Sequence, residues 1–251
     1  MTNKKRTCDT LMSVVNNDKQ KENELSPSCR VRRDVTMNKL DSAADGIAIP
    51  LAKCMADNYY NGNGSEVILK KAALDKSLTI KELSTRNINR LEKTFVGQGD
   101  KNTAELLRKL PVGESVEITD HWDAVAKAEG MTLAKKIFDI PTGDKYYNCD
   151  RDTFLAIGSV QLGSDFTGTA KRSGNTININ GTIQHSLFDV YDYDYNYKKP
   201  FYNETRAVKE GCAKTYPVKA VWKEGIVGSV KIDEKGLGNP IVRTYSLEEE
   251  E

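Results

Sequence analysis

Gly181–Tyr197 reads GTIQHSLFDVYDYDYNY, and this stretch decides the fold class. Thr182, Gln184 and Ser186 alternate with Ile183, His185 and Leu187, a period of two that marks a strand with one apolar face. Carried past Phe188, the alternation sets Asp189 and Tyr191 on one face. Asp192 falls on the other unless the chain turns there. Asp189, Tyr191, Asp192 and Asp194 therefore crowd the end of one strand. Carboxylates this close repel unless a proton, a cation or a metal sits among them. A solvated acidic strand end is the alternative reading of the same residues.

Working outward, residues from Thr153 onward read as mostly β. Thr153–Leu162, Phe166–Lys171, Thr176–Phe188, Tyr216–Trp222 and Val227–Ile232 are the expected strands. Ser173-Gly174-Asn175 is a hairpin turn signal. Short turns between successive strands predict a curved antiparallel sheet or half-barrel. Upstream, Ile47 to Tyr59 is expected to be a short helix stopped by Asn61-Gly62-Asn63-Gly64. Ile80, Leu83, Ile88, Leu91 and Phe95 predict a helix over Thr79–Phe95, and a shorter one spans Asn102–Leu110 before Pro111. A strand near Val116–Ile118, a helix over Trp122–Ala128 and a turn at Thr142-Gly143-Asp144 follow. The fold class is thus α+β, a helical part followed by a β-rich part. Residues 1–45 are polar and read as a flexible segment, 46–150 as mainly helical, and 151–247 as the β-rich part that carries the acidic cluster.

Composition narrows the function. The chain has 251 residues, with 37 Lys and Arg against 36 Asp and Glu, so bulk attraction to nucleic acid is not expected. No run of 18 apolar residues predicts a membrane-spanning helix, and the N-terminal sequence lacks the apolar core of a signal peptide, so synthesis in the cytoplasm is expected. Five scattered cysteines without a C-x-x-C spacing argue against a zinc site or a dense disulfide framework. The histidines are His121 and His185. His121, in TDHWDAV, reads as a helix-start residue. Arg30–Arg33 (RVRR) is a small basic cluster, a processing or docking site or a solvated run. Asp192-Tyr193-Asp194-Tyr195-Asn196 matches half of a calcium loop, but Tyr197 and Asn203 stand where that loop needs Gly and Glu.

Asp189-Val190-Tyr191-Asp192-Tyr193 resembles the D-x-Y-D-F/Y signature of the colicin M family of bacteriocins. Other pieces fall in the same order: Leu51–Ile68, Thr142–Tyr146, Phe154–Leu162, Gly168–Ala170, Asn175–Gly181 and Lys209–Val218. The resemblance covers roughly residues 47–235. It implies hydrolysis of lipid II between undecaprenol and pyrophosphate, with Mg2+ as cofactor. It implies Asp192 as nucleophile or base, Asp189 as metal ligand or supporting group, and Tyr191 as a positioning residue. Asp189, Asp192 and Asp194 are then the metal ligands. The family carries a His-Arg pair just beyond the signature. Here that stretch is Asp194-Tyr195-Asn196-Tyr197-Lys198-Lys199-Pro200, so Lys198, Lys199, Arg206 or His185 is expected to bind the pyrophosphate. The resemblance further implies secretion, action in the periplasm of target bacteria, contact with the membrane surface and an immunity protein. Delivery is expected to use a secretion adaptor bound to residues 1–45, and the chain is expected to be a monomer. A relative that binds a lipid-pyrophosphate or glycan without turnover, or a structural secretion-system protein, is the alternative.

Overall fold

A computed structural model describes residues 3–15, 25–98, 101–126, 150–158, 160–192, 202–234 and 236–247. Helices are α1 (Asn3–Leu11), α2 (Pro27–Ala44), α3 (Pro50–Asn61), α4 (Lys71–Leu74), α5 (Leu78–Phe95), α6 (Lys101–Lys109), α7 (Arg151–Ile157) and α8 (Tyr202–Lys209). Strands are β1 (Met12–Val14), β2 (Val67–Leu69), β3 (Ser115–Ala126), β4 (Val160–Ser173), β5 (Thr176–Tyr191), β6 (Tyr216–Asp233), β7 (Gly236–Leu237) and β8 (Ile241–Ser246). The fold class is α+β, as expected.

The strands form one sheet in the order β1-β2-β6-β5-β4-β3, with β7 and β8 also pairing with β6. The sheet is mixed rather than purely antiparallel, because β2 runs parallel to β6 with Val67 opposite Val218 and Ile68 opposite Lys219. The path from β1 to β3 does not close on itself. The chain divides into two units. One comprises Met1–Lys81, Val125–Gln161 and Leu187–Ala220; the other comprises Glu82–Ala124, Leu162–Ser186 and Val221–Glu251.

The second unit holds a core of Leu91, Phe95, Leu107, Ile118, Phe166, Ile177, Ile179, Ile183, Ile226 and Val230. Each such side chain contributes roughly 1.5–3 kcal/mol by leaving water. Gly168 and Gly181 face one another in the β4–β5 hairpin. A Cβ on Gly181 would lie 2.5 Å from the Thr167 carbonyl and 2.8 Å from the Phe166 ring, so only glycine admits this approach. In the first unit α3 packs on α7 and α2, and α2 packs on α8. Neither α3 nor α5 is capped from a standard position alone. Asp152 accepts the backbone N–H groups of Leu51 and Ala52 at the start of α3. Asp150 accepts the Thr79 N–H and the Ser77 hydroxyl at the start of α5. The two carboxylates thus satisfy orphan helix donors from a distant part of the chain.

Several expectations are corrected. Trp122–Ala126 lies in β3, where Ile118 and Ala124 are buried and Thr119, His121, Asp123 and Val125 are exposed, a period of two. His121 is therefore a strand residue. Thr153–Ile157 is helical, since Thr153, Ala156 and Ile157 bury one helical stripe, and the extended chain resumes at Val160. Short apolar runs are ambiguous between helix and strand, and here Gly158, with φ of 58°, marks the break. Tyr216–Trp222 and Val227–Ile232 are one strand, β6. Residues 3–11 and 27–44, polar by composition, carry helices. Disulfides Cys8–Cys54 and Cys29–Cys212 fasten them, so four of the five cysteines pair across long separations that spacing motifs do not reveal. The expected turn at Thr142-Gly143-Asp144 lies outside the described residues.

Candidate active site

β5 brings the acidic signature to its end with the expected alternation. Ile177, Ile179, Ile183, His185, Leu187 and Tyr191 are buried on one face, and Asp189 stands half-buried in that same row. Phe188 and Val190 are exposed on the other face, and Asp192, just past the strand, is also exposed. Asp189 is the electrostatically unusual member. Burial, above all, and then the charge on Asp192 push its carboxyl up to about 6, against a lowering by the Val190 N–H that it accepts. A carboxyl in that range exchanges its proton near neutral pH.

Tyr191 is packed rather than presented. Its ring stacks on Tyr216 at 5.1 Å and 13°, and meets Tyr59 edge-on at 5.7 Å. Tyr216 donates its hydroxyl proton to the Met55 carbonyl at 2.6 Å, and Tyr59 donates to the Glu204 backbone carbonyl at 3.2 Å. Burial raises the Tyr59 and Tyr216 hydroxyls far above the ordinary phenol value, so both act only as neutral donors. The charge on Asp192 also raises Tyr59, which ties this aromatic cluster electrostatically to the acidic strand end. The resemblance made Tyr191 a positioning residue. Its observed surroundings make it a packing residue that fixes the direction in which the strand carries Asp189 and Asp192.

Next to the cluster lies a buried carboxylate that motif reading missed. Glu204 on α8 is 1 % exposed. It accepts from the Thr36 hydroxyl at 2.8 Å and from Lys39 Nζ at 3.0 Å on each oxygen. Because Thr36 gives its proton to Glu204, the Tyr60 hydroxyl at 2.7 Å donates to Thr36. Burial pushes the Tyr60 hydroxyl up to about 12. The only sequence hint was the i, i+3 pair Thr36 and Lys39 in a segment otherwise poor in apolar residues.

The expected substrate cations are distributed differently. Arg206 on α8 donates to Glu210 at 2.5 Å, and Arg32 donates to the other oxygen of Glu210 at 2.6 Å. Both arginines together hold the Glu210 carboxyl below the usual carboxylate range. Asp194, Lys198 and Lys199 lie outside the described residues. His185, in the second unit, is fully buried. Asn87 Nδ2 donates to the Leu162 carbonyl at 3.1 Å and to Ser164 Oγ at 2.6 Å. The Ser164 proton is then directed to His185 Nδ1, 2.7 Å away. The ring proton therefore belongs on Nε2, which faces Glu224 at 3.4 Å, while Trp222 lies against the ring at 5.0 Å. His185 is thus enclosed by protein groups on both nitrogens and one ring face. His121 sits on the exposed face of β3, with Nδ1 2.7 Å from Asp165 and Nε2 3.6 Å from Asp123.

Among the described residues no three His, Cys, Asp or Glu side chains converge as a metal site. Two carboxylates remain at the strand end, Asp189 and Asp192. That number fits magnesium, which commonly takes one or two carboxylates and completes its shell with water and substrate phosphate oxygens. Burial above all, and then the Asp192 charge, raise Asp189, and a cation bound between the two carboxylates would oppose that shift. No family model, no curated protein and no solved structure matches the chain.

Proposed function

We propose that the chain is an antibacterial hydrolase of the kind its acidic signature resembles, cleaving lipid II between undecaprenol and pyrophosphate. The observation that carries this reading is the Asp189–Asp192 pair, in which one carboxyl is raised to about 6 by burial and by its neighbour's charge. Pairs of carboxyls held in different environments are the arrangement that divides acid and base work near neutral pH. In this reading Asp192, exposed at the strand end, takes the nucleophile or base role. Asp189 stands behind it as the group that holds or releases a proton. Tyr191, Tyr216 and Tyr59 fix the strand end so that neither carboxylate swings away. Asp189 and Asp192 would hold the magnesium ion, which supplies charge neutralisation at a pyrophosphate. Arg206 is the described cation that could turn to a phosphate oxygen, on leaving Glu210.

The proposed setting is the periplasm of target bacteria, at the membrane surface, after secretion. Immunity by a dedicated partner and delivery through an adaptor on residues 1–45 belong to the same proposal, as does a monomeric state. Two disulfides support an oxidising place of action. One observation favours the second reading, binding without turnover: Arg206 is already neutralised by Glu210, and His185 is enclosed. Incubation with lipid II and Mg2+ separates the two. Release of undecaprenol supports hydrolysis, and retention of intact lipid II on the protein supports binding alone.

A further inference from the structure

α2 is held down by an unusual set of links. Of its 18 residues only Thr36, Leu40 and Ala44 are buried, while Val31 and Val35 are exposed. Apolar burial therefore anchors it weakly. Its links toward α8 form one helical stripe at Cys29, Arg32, Thr36 and Lys39, spaced by three or four residues, while near its end Asp41 pairs with Lys53 on α3 and the Ala44 carbonyl accepts from Arg151. Cys29 is bonded to Cys212, Arg32 pairs with Glu210, and Thr36 and Lys39 both reach Glu204. All three partner positions are on α8 or directly after it. The second disulfide, Cys8–Cys54, fixes α1 to α3 in the same unit. The bridges thus join α1 and α2, respectively, to other parts of that unit. The remaining links are polar; the Thr36–Glu204 bond is buried, but Lys39 is exposed by 44 % and Glu210 by 34 %, and water and salt weaken those two ion pairs.

We propose that α2 is a strap locked onto α8 by oxidation of Cys29 and Cys212, and that closing it completes the candidate site. In the dithiol form α2 leaves α8, and Glu204 loses both Thr36 and Lys39. Tyr60 loses its Thr36 partner, next to Tyr59, which packs edge-on against Tyr191. In the disulfide form the stripe is tethered at its first turn, and the polar links form at high effective concentration. Each closure removes two electrons and two protons from a pair of cysteine thiols. A disulfide-bearing oxidant, such as oxidised glutathione, accepts them and is reduced to two thiols. Cys54 and Cys212 are each 4 % exposed, so a reductant reaches a closed lock slowly. The chain would then be slack in a thiol-rich cytoplasm and closed outside it. The link to activity rests on the proposed function; the lock itself does not.

Hydrogen exchange of the full-length protein, read by mass spectrometry, tests the lock without any activity measurement. One sample is oxidised with glutathione disulfide and the other fully reduced with dithiothreitol, and alkylation must report four additional thiols in the reduced sample. Exchange over 27–44 and 202–209 should rise at least tenfold on reduction, with 166–183 unchanged. The double variant Cys29→Ser, Cys212→Ser should reproduce the faster exchange over 27–44 without reductant. Unchanged exchange over 27–44 in the reduced sample would overturn the proposal. Equal loss of protection over 166–183 would overturn it too, making the disulfides general staples. A lock that opens as expected in a protein that leaves lipid II intact would remove the proposed function alone.

Discussion

Replacing Asp189 by Asn should stabilise the protein at neutral pH while removing the activity proposed for it. Burial and the Asp192 charge raise the Asp189 carboxyl to about 6. In the unfolded chain an aspartate titrates near 3.9, a difference of roughly two units, each equivalent to about 1.4 kcal/mol. Folding thus carries a penalty of up to about 3 kcal/mol from ionised Asp189, reduced to about 2 kcal/mol by partial solvent contact. The folded-state value is raised, so the sign is clear. The penalty is absent below the unfolded value, grows between about pH 4 and pH 6, and is complete above that. Asparagine keeps an oxygen for the Val190 N–H and has no charge to desolvate. Urea denaturation at pH 7.5 should show Asp189→Asn more stable by about 2 kcal/mol, with the gain nearly gone at pH 3.5. Equal gains at both pH values, or a loss at pH 7.5, would refute the claim that an ionised, desolvated carboxylate occupies this position.

Other substitutions probe the rest of the structure. Thr36→Val leaves buried Glu204 and Tyr60 each short of a partner and should cost about 1–3 kcal/mol by the same denaturation assay. Gly181→Ala drives a methyl group into the Thr167 carbonyl and the Phe166 ring, so a loss of about 3 kcal/mol or failure to fold is expected by circular dichroism. Asp165, hydrogen-bonded to Nδ1, is the largest cause that raises the His121 pKa above the ordinary histidine value. Any stability from that pair is present below about pH 6.5 and fades as pH rises through the raised folded-state value. With two histidines in the chain, NMR titration should show the His121 resonance shift its midpoint downward in Asp165→Asn. An unchanged midpoint would discard the pairing.

The parts of the fold legible in the sequence were those with a local period. The two-residue alternation through Ile177–Tyr191 correctly put Asp189 and Tyr191 on one face, and the 3.6-residue period of Ile80, Leu83 and Leu91 marked α5. The Ser173-Gly174-Asn175 signal gave the β4–β5 turn. Failures came where the period was weak or the partner distant. Trp122, Val125 and Ala126 carry too few apolar residues to separate helix from strand, and pairing with the rest of the sheet decided for strand. Composition made residues 1–45 look loose because it does not register two cross-chain disulfides or the buried Glu204 partners. Of the candidate site, the positions of Asp189 and Asp192 were readable. The packing of Tyr191 between Tyr216 and Tyr59 was not, because no local period links it to Tyr216 on another strand or to Tyr59, more than a hundred positions away in sequence.

The central claim is that the Asp189–Asp192 pair performs hydrolysis. Oxidised full-length protein incubated with lipid II and Mg2+, beside Asp192→Asn checked for folding, tests it most directly. The account predicts release of undecaprenol by the wild-type chain and none by the variant. Intact lipid II after incubation with well-folded wild-type protein, or equal release by Asp192→Asn, would contradict it.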